Sequence, residues 1–334
     1  MPVTDSDLKF THRAYRRPLQ RPLVTARMHW NVREGILVRL QDARGRTGFG
    51  EIAPLAEFGT ETIDEARKLC GSIPEATSTD ALNELLLSAP PACAFGIWSA
   101  LEELRTPEQS LPPVPSAALL PLRDDSVSLI RDERSRGCDT FKIKLGTMEA
   151  RLEKPILEAV LQTLHPGERL RLDPNQSWDL ATLEDWMQVV RNHPQHVEFI
   201  EEPLRPGLLS PKELVRLASD LPIPLALDES LATAGPLLWI NLGWPGFWVV
   251  KPSLMGVPHW LAPLSGMAGR VVMSSAFETL IGMDALVRLT SGFPGTSHGL
   301  GTDGNFNDGF GPSREGNRIR PATLKEKENL WKSF

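Results

Sequence analysis

The segment at residues 141–145 (FKIKL) constrains the fold more than any other stretch of this sequence. Its apolar residues stand at every second position, a pattern typical of a β-strand, whose successive side chains point to opposite faces. If the three apolar side chains pack into one layer, Lys142 and Lys144 both point to the opposite side. An exposed edge strand could carry two lysines in this way, so the segments that follow decide between the two interpretations.

Four later segments repeat the pattern. Each ends in a charged residue, at a position whose side chain would point to the same side of the sheet as the two lysines. The four segments end at Asp173, Glu201, Asp228 and Lys251 and occupy residues 169–173, 197–201, 223–228 and 247–251. Segments with helical periodicity and turn residues separate them, so that strand ends recur roughly every 25 residues. This spacing indicates repeated right-handed βα units, with all the charged strand ends at one edge of a parallel sheet.

Further strand patterns bring the number of βα units to eight. They lie at residues 115–120, near Ser274 and, more weakly, at 295–300. Eight units form a closed (β/α)8 barrel, whose catalytic residues lie at the C-terminal ends of the strands.

The N-terminal region has a different pattern, which combines strands with helices. The strand patterns lie at 35–40 and 47–51, and the helical ones at 60–69 and 91–104. The predicted fold is therefore α/β, a (β/α)8-type TIM barrel with an N-terminal α+β capping domain. We expect the capping (lid) domain at residues 1–110, the catalytic barrel at 111–300, and a C-terminal segment at 301–334 that returns to the capping domain.

Composition argues against several classes of protein. The 334 residues carry a net charge of −6 and offer no basic stripe for nucleic acid. No apolar run approaches the roughly 18 residues of a membrane-spanning helix, and the N-terminal residues lack the apolar core of a signal peptide. Cys70, Cys93 and Cys138 are an odd number at wide spacings, so we expect reduced thiols in a cytoplasmic protein.

Asp173, Glu201 and Asp228 are candidate metal ligands, because they come from three successive strands at the same end of the barrel. Three carboxylates in one cavity cannot all stay ionised without a counter-charge. An all-oxygen ligand set favours Mg²⁺ over zinc, and Asn175 lies where it can support that set. The alternative interpretation is that these carboxylates form ion pairs with the lysines around the cavity.

Lys144 and Lys251 come from the second and sixth strands and therefore flank the carboxylates. A neighbouring cation such as Lys142 or Mg²⁺ disfavours the charged form of a lysine and makes it a better base. A base beside a metal-held carboxylate is suited to removing the proton α to that carboxylate, and the product is an enediolate. Each lysine alone would more simply be a solvated surface residue.

Arg171 shares the inward parity of Asp173. It is a candidate for orienting Lys144 or meeting an anionic substrate, and equally for a buried salt bridge. Glu202 and Glu229 directly follow ligand candidates and are expected to point the other way. The histidines, including His298, are interpreted as structural.

The order of these residues resembles the enolase superfamily, and within it the muconate-lactonising branch. The motifs at the strand ends are Lys142-x-Lys144, Asp173-x-Asn175, Glu201-Glu202-Pro203, Asp228-Glu229-Ser230 and Lys251-Pro252-Ser253-Leu254-Met255-Gly256. In the N-terminal region, residues 48–55 (GFGEIAPL) with Phe58, Glu61 and Thr62 are similar to the family's substrate-covering loop. Residues 94–96 (AFG) and 274–279 (SSAFET) also match.

This resemblance implies an enzyme that ionises a carbon acid. Asp173, Glu201 and Asp228 would bind Mg²⁺, Lys144 would remove the α proton, and Lys251 would stabilise the enediolate from the opposite face. Lys142 would assist as a third catalytic lysine. Candidates for substrate binding or for support of the ligands are Arg171, Asn175 and Ser275.

The implied activity is that of a lyase that eliminates water from a small anionic carboxylate. Racemisation of an N-acylamino acid and epimerisation of a dipeptide are alternatives that use the same residues. Epimerases of this branch usually carry Asp-x-Asp at the eighth strand, where this sequence reads Thr302-Asp303-Gly304-Asn305. A catalytically silent barrel that binds a small anion is the alternative from another class.

Overall fold

The computed structural model describes residues 8–24, 29–106 and 111–334. The N-terminal region is an antiparallel sheet packed against three helices. In chain order its elements are β1 (Leu8–Val24), β2 (His29–Asp42), β3 (Thr47–Ile52), α1 (Ile63–Ser72), β4 (Ala76–Thr77), α2 (Thr79–Leu86) and α3 (Pro91–Arg105). The strands lie in the order β3-β2-β1-β4, and apolar side chains of β1, β2 and α3 share one buried cluster.

Two glycines let β3 approach α3 closely. A Cβ on Gly50 would lie 1.9 Å from the carbonyl oxygen of Gly96, and one on Gly48 would lie 2.1 Å from that of Ala100. Because no side chain fits between the two elements, the helix rests directly on the strand. This close packing fixes the end of β3, from which the chain continues toward the barrel.

Helix α1 begins later than the pattern at 60–69 predicts. It begins at Ile63, after the N-cap residue Thr62, which forms a capping box with Glu65. Thr60 instead accepts a hydrogen bond from the backbone NH of Leu55 at 2.7 Å. The segment between β3 and α1 is thereby folded back on itself.

Residues 118–290 form a parallel sheet with helices outside it. After a short strand β5 (Val114–Pro115), the strands of this sheet are β6 (Ala118–Leu120), β7 (Thr140–Lys144), β8 (Arg169–Asp173), β9 (Val197–Glu201), β10 (Leu225–Leu227), β11 (Phe247–Val250) and β12 (Val271–Met273). Their order in the sheet is their order in the chain. The helices are α4 (Ser126–Ser135), α5 (Ala150–Thr163), α6 (Leu180–Val190), α7 (Pro211–Asp220), α8 (Glu229–Ala234), α9 (Pro236–Leu242) and α10 (Leu280–Thr290). Among the helices in the described residues, none is both long and apolar enough to cross a membrane.

The two edges of this sheet are joined through residues 298–299. His298 forms a parallel bridge with Ser116, and Gly299 forms one with Ser274. The backbone NH of Ala117 donates to the His298 carbonyl (2.8 Å), and that of Gly299 donates to the Met273 carbonyl (2.7 Å). The predicted eighth strand is therefore a two-residue link, and the (β/α)8-type barrel with a capping sheet is confirmed.

The first, fifth and sixth predicted strands of the barrel also differ in extent from the pattern. The first one, at 115–120, is divided between β5 and β6, and only β6 joins the barrel. The fifth is shortened to β10, because Pro224 cannot donate to a sheet hydrogen bond. The sixth ends at Val250, and Lys251 begins a 3-10 helix (Pro252–Leu254). A further 3-10 segment (Pro258–Arg270) stands where an α-helix would follow β11.

The parity deduced from the sequence holds in the barrel. Phe141 and Ile143 of β7, and Leu145 directly after it, belong to the cluster between the sheet and the outer helices. A small inner cluster, formed by Phe199, Ala226, Val249 and Val272, fills the barrel below the charged strand ends. The charged residues therefore stand above an apolar plug, as the barrel architecture requires.

The C-terminal residues lie between the capping sheet and the barrel. They form β13 (Arg314–Glu315), β14 (Arg318–Ile319) and α11 (Leu324–Lys332), and β14 pairs with β5. Trp331 belongs to a buried cluster with Tyr15 and Phe49 of the capping sheet. Lys327 Nζ donates to Glu103 of α3 (2.7 Å) and to Asp284 of α10 (2.6 Å). Helix α11 thus contacts elements on both sides.

Glu51, at the end of β3, ties the capping sheet to the barrel. Its side chain is completely buried and accepts hydrogen bonds from the backbone NH groups of Thr279 (3.0 Å) and Gly282 (2.9 Å) at the start of α10. The Tyr15 hydroxyl donates to the same carboxylate at 2.6 Å. An anionic group at a helix N-terminus is favourable because it meets NH groups that lack partners within the helix.

We predict that Glu51→Ala lowers the free energy of unfolding by roughly 2–4 kcal/mol, because it leaves several buried donors without an acceptor. Urea denaturation measures this change. Glu84→Ala, at an exposed position of α2, is the control and should change stability by less than about 0.5 kcal/mol. Equal stabilities of the two variants would contradict this account of how the capping sheet is joined to the barrel.

Candidate active site

A cleft opens at the C-terminal ends of the barrel strands, beneath the capping region. Its volume is about 870 Å³ including the mouth. The capping region contributes an apolar roof of Trp30, Leu55 and Phe58. The barrel contributes a charged floor, formed by Lys142, Lys144, Asp173, Asp228, Glu229 and Lys251. A ligand in this cleft would meet an apolar surface on one side and charges on the other.

The three predicted metal ligands lie side by side at the rim of the barrel. Asp173, Glu201 and Asp228 are almost completely buried, with 4%, 2% and 6% of their surfaces exposed. The first two are the last residues of β8 and β9, and the third directly follows β10. Because these strands are neighbours in the sheet, the three carboxylates lie close together. Asp173 and Asp228 line the cleft, and Glu201 lies beside them, where it shares Lys142 with Asp173.

The lysines of the floor pair with these carboxylates. Lys142 Nζ lies 2.9 Å from Asp173 Oδ2 and 2.5 Å from Glu201 Oε1. Lys251 Nζ contacts both carboxylate oxygens of Asp228. The ion pairs that the sequence allowed as an alternative are therefore present. Within residues 8–24, 29–106 and 111–334, no three Asp, Glu, His or Cys side chains converge closely enough to ligate an ion as they stand.

The pKa values show that the lysines do not fully offset the buried negative charge. Burial raises the pKa of Glu201 to about 7, against the attraction of Lys142. Burial also raises the pKa values of Asp228 and Glu229, although Lys251 opposes both shifts. Only for Asp173 does the attraction of Lys142 and Lys144 outweigh burial and lower the pKa.

The donor set is therefore suited to a hard dication. The three buried carboxylates offer oxygen ligands, which Mg²⁺ prefers. Among the described residues, no cysteine lines the cleft to provide a thiolate that would favour zinc. Burial raises the pKa of Glu201. A cation bound beside this carboxylate would favour its ionised form and lower that pKa again. Asp173, Glu201 and Asp228 fit the group that the sequence implied.

Lys144 and Lys251 stand on opposite sides of the carboxylates. Lys144 ends β7, Lys251 follows β11, and the carboxylate strands lie between them. Among the described residues, Lys144 pairs with one carboxylate, that of Asp173, whose Oδ2 is 3.6 Å from its Nζ, and 34% of its side chain is exposed. Burial alone would lower the pKa of Lys251, but Asp228 and Glu229 raise it. Lys251 is thus held as a cation, whereas Lys144 is the less constrained amine.

Asn175 and Ser275 both line the cleft. The backbone NH of Asn175 donates to Asp173 Oδ1 at 3.0 Å, so it orients that carboxylate. The Ser275 hydroxyl donates to Glu278 Oε2 at 2.6 Å and shares a hydrogen bond with Thr302 Oγ1 at 2.8 Å. Both residues therefore support the wall of the cleft.

Arg171 lies deeper in the barrel and does not reach the cleft. Its Nε is 2.6 Å from Glu198 Oε2, and its Nη2 donates to the Ser297 carbonyl at 2.6 Å. Of the roles considered for Arg171, the buried salt bridge is therefore the one that the structure shows. A register shift on β9 between positions 197 and 199 gives Glu198 access to the barrel interior. His298 is also structural, because its Nδ1 accepts from the Met273 NH (3.2 Å) and burial lowers its pKa to about 4.

The structure corrects the expectation that Glu229 points away from the site. Glu229 lines the cleft and accepts a hydrogen bond from Asn175 Nδ2 at 3.2 Å. The period-two argument failed here because Glu229 is the first residue of α8 and not part of a strand. Glu202 does turn away from the cleft, and it accepts from the Asp228 NH at 2.8 Å. A helix beginning right after a strand was the signal that sequence analysis could have used.

Comparison with known proteins places both regions in one family. Residues 10–104 match the family model described as MenC, N-terminal domain, and residues 125–238 match the one described as enolase C-terminal domain-like. An o-succinylbenzoate synthase from Thermosynechococcus vestitus is 36% identical over 329 residues, which cover 97% of this chain and 98% of that protein.

Solved structures agree with this relationship. The crystal structure of o-succinylbenzoate synthase from Thermosynechococcus elongatus, with magnesium in its active site, matches with a TM-score of 0.81 and 34% identity. That match covers 98% of this chain and all of that one (100%). An L-Ala-D/L-Glu epimerase from Bacillus subtilis matches with a TM-score of 0.74 over 94% of this chain and 96% of that one, but its 16% identity shows only the shared fold. The chain therefore belongs to the o-succinylbenzoate synthase family of the enolase superfamily.

Proposed function

We propose that this chain dehydrates 2-succinyl-6-hydroxy-2,4-cyclohexadiene-1-carboxylate to o-succinylbenzoate in a Mg²⁺-dependent reaction. The observation that carries the proposal is the placement of two lysines on either side of three buried carboxylates, at the rim of a barrel of this family. Such a site can hold a small carboxylate and expose its α carbon to an amine.

Lys144 is the acid–base residue of the proposed reaction. As a free amine it takes the proton from the carbon that bears the substrate carboxylate, and the electrons of that C–H bond form an enediolate. The resulting Lys144 ammonium then protonates the hydroxyl on the adjacent carbon. That C–O bond breaks, water leaves from the same face, and the ring becomes aromatic. Its single carboxylate contact and its exposure to the cleft support this role.

Lys251 acts as a fixed cation. Its side chain is 13% exposed, and its contact with Asp228 holds the ammonium group on the far side of the carboxylates from Lys144. A preorganised positive charge stabilises an enediolate more than it stabilises the neutral C–H bond of the substrate. Lys142, paired with Asp173 and Glu201, contributes to the same positive field.

Asp173, Glu201 and Asp228 would hold Mg²⁺ at the floor of the cleft. The chemistry that bound Mg²⁺ supplies is the neutralisation of negative charge that develops on the substrate carboxylate. Asn175 and Glu229, linked to each other at 3.2 Å, keep the neighbouring wall in place.

The surroundings of Asp303 support dehydration over dipeptide epimerisation. Asp303 is the one acidic residue at the place where epimerases usually carry two for the substrate's amino group. Here both of its carboxylate oxygens accept from the Arg314 guanidinium. An aspartate already paired with an arginine is a poor partner for an ammonium group.

We also infer that the enzyme works in the cytoplasm, on the route to menaquinone or phylloquinone. Cys70, Cys93 and Cys138 are buried free thiols. Burial raises the pKa values of Cys70 and Cys138 to about 12, which keeps them protonated and unreactive. Unpaired thiols of this kind fit a reducing compartment.

We predict that Lys144→Ala abolishes dehydration, with kcat reduced by roughly 10³-fold or more, because no other amine replaces the base. Lys251→Ala should lower kcat by roughly 10²–10³-fold while product binding is largely retained. The assay is the ultraviolet absorbance of o-succinylbenzoate. Lys154→Ala removes a lysine that pairs with Asp185 on the outer helices and serves as the matched control. Substantial turnover after both active-site changes would eliminate the proposed mechanism.

We predict that exhaustive treatment with EDTA removes activity and that added Mg²⁺ restores it. Mg²⁺ should also raise the thermal unfolding midpoint, because a ligand that binds only the folded protein stabilises it. An Asp228→Asn variant should lose most of this thermal shift, whereas the wild-type protein shows it without substrate. Full activity of the thoroughly chelated enzyme would contradict the metal assignment.

A further inference from the structure

Arg33, on strand β2 of the capping region, is a buried arginine that binds only backbone oxygens. It is 3% exposed. Its Nε donates to the Ala276 carbonyl at 3.1 Å, Nη1 to that of Pro54 at 2.7 Å, and Nη2 to that of Ala53 at 2.5 Å. Nη1 also donates to the carbonyl of its neighbour Glu34 (3.0 Å). In the part of the chain that the structure describes, all its hydrogen-bond partners are carbonyl groups.

These carbonyls belong to two segments that come from different regions of the chain and both contribute to the cleft. Ala53 and Pro54 lead directly into the roof residues Leu55 and Phe58. Ala276 belongs to a turn that follows β12 and continues with Phe277, which also lines the cleft. One guanidinium group therefore joins the roof, from the capping region, to a wall contributed by the barrel.

Phe277 adopts a backbone conformation that must be enforced. Its φ is +68°, in the left-handed region that residues with a side chain rarely occupy. Strain of this kind persists only where the surroundings determine the conformation. Arg33 holds the carbonyl before Phe277, and Arg17 Nη1 holds the Glu278 carbonyl after it at 3.1 Å. The Glu278 carboxylate secures the same turn by accepting from the Ala276 NH at 2.7 Å.

The strained turn completes an aromatic surface. The Phe277 ring lies 5.9 Å from that of Trp30 in an edge-to-face arrangement (82°), and Trp30 lies 6.5 Å from Phe58. All three rings line the cleft above the charged floor. Trp30 and Arg33 both lie on β2. This strand therefore supplies the Trp30 ring, and through Arg33 it also holds the segments that carry Phe58 and Phe277.

We propose that Arg33 is a positioning residue that determines substrate specificity. It holds Phe58 and Phe277 at the spacing needed to seat an unsaturated carbocyclic ring against the rings of Trp30, Phe58 and Phe277, while the carboxylate on that ring reaches the lysines. This inference rests on the proposed function, because it assigns the ring of that substrate to this surface. Aromatic rings recognise a flat unsaturated ring by stacked and edge-to-face contacts.

A gain in the stability of the folded protein does not by itself explain why an arginine occupies this position. A buried cation without a carboxylate partner costs more than an apolar side chain of similar size. What the planar guanidinium provides is a set of fixed donor directions that reach two segments at once. Arg33 therefore contributes by fixing the position of these two segments relative to each other, and this position determines the shape of the cleft.

The test compares four single variants, and the double variant Arg33→Met with Phe277→Ala, with the wild-type enzyme. Arg33→Met and Arg33→Lys remove the forked donor group, and Phe277→Ala removes the ring that it positions. Arg39→Met is the matched control, because Arg39 lies on the same strand but pairs with Glu328 of α11, away from the cleft. The measurements are KM and kcat for dehydration, the Kd of o-succinylbenzoate by calorimetry, and the thermal midpoint.

Phe277→Ala and Arg33→Met should each raise KM and the product Kd roughly tenfold, while kcat at saturation changes less than about threefold. Arg33→Lys should give a smaller effect in the same direction, and it replaces Arg33→Met if that variant does not fold. The double variant should raise KM by clearly less than the product of the single effects, because both changes act on one surface.

Unchanged KM and Kd in the Arg33 variants, with or without a lower thermal midpoint, would show a merely structural role and overturn the proposal. Fully multiplicative effects in the double variant would overturn it as well, because Arg33 would not act through Phe277. An inactive wild-type enzyme would refute the proposed function. An active wild-type enzyme with unaffected variants would refute only the role of Arg33.

Discussion

The structure depends on how negative charge is offset at the rim of the barrel. Asp173, Glu201 and Asp228 are buried side by side at the ends of neighbouring strands. Burial would protonate these carboxylates if no cation stood beside them. Lys142 and Lys251 supply part of that charge through direct pairs, and the raised pKa of Glu201 shows that a deficit remains. In the proposed reaction, a dication would supply the missing positive charge, and the cations at this rim would then attract an anionic substrate.

The capping region covers this charged rim with an apolar roof and so forms the cleft. Glu51 binds the start of α10, and Arg33 binds the turn before it, so two buried polar groups of the capping sheet fix the barrel loops that line the cleft. Apolar packing alone would hold the two parts together less specifically, since it has no preferred direction. Directional hydrogen bonds to backbone groups instead define where Phe58 and Phe277 stand above the lysines. The geometry of the site is therefore a property of the interface between the two parts.

Much of the barrel could be predicted because its strands alternate with period two. The pattern at 141–145 placed Lys142 and Lys144 inside, and the same parity placed Asp173, Glu201 and Lys251 at the rim. The pattern failed where the chain is not a regular strand. Glu229 enters the cleft as the first residue of a helix, Glu198 is brought inside by a register shift, and the eighth strand is reduced to two bridging residues. The contact of Glu51 with Thr279 joins residues that are 228 positions apart in the sequence. The pattern of apolar and polar residues within a short segment cannot predict a contact of this kind.

The most direct test of the central claim is a crystal structure of the enzyme grown with Mn²⁺, which occupies Mg²⁺ sites and is located by its anomalous scattering. The account predicts one ion, with oxygens of Asp173, Glu201 and Asp228 at about 2.2 Å. It also predicts that Lys144 and Lys251 face each other across the space next to the ion, with Lys142 and Lys251 shifted from their present carboxylate partners. An ion bound elsewhere, or lysines that keep these carboxylates and exclude the ion, would contradict it.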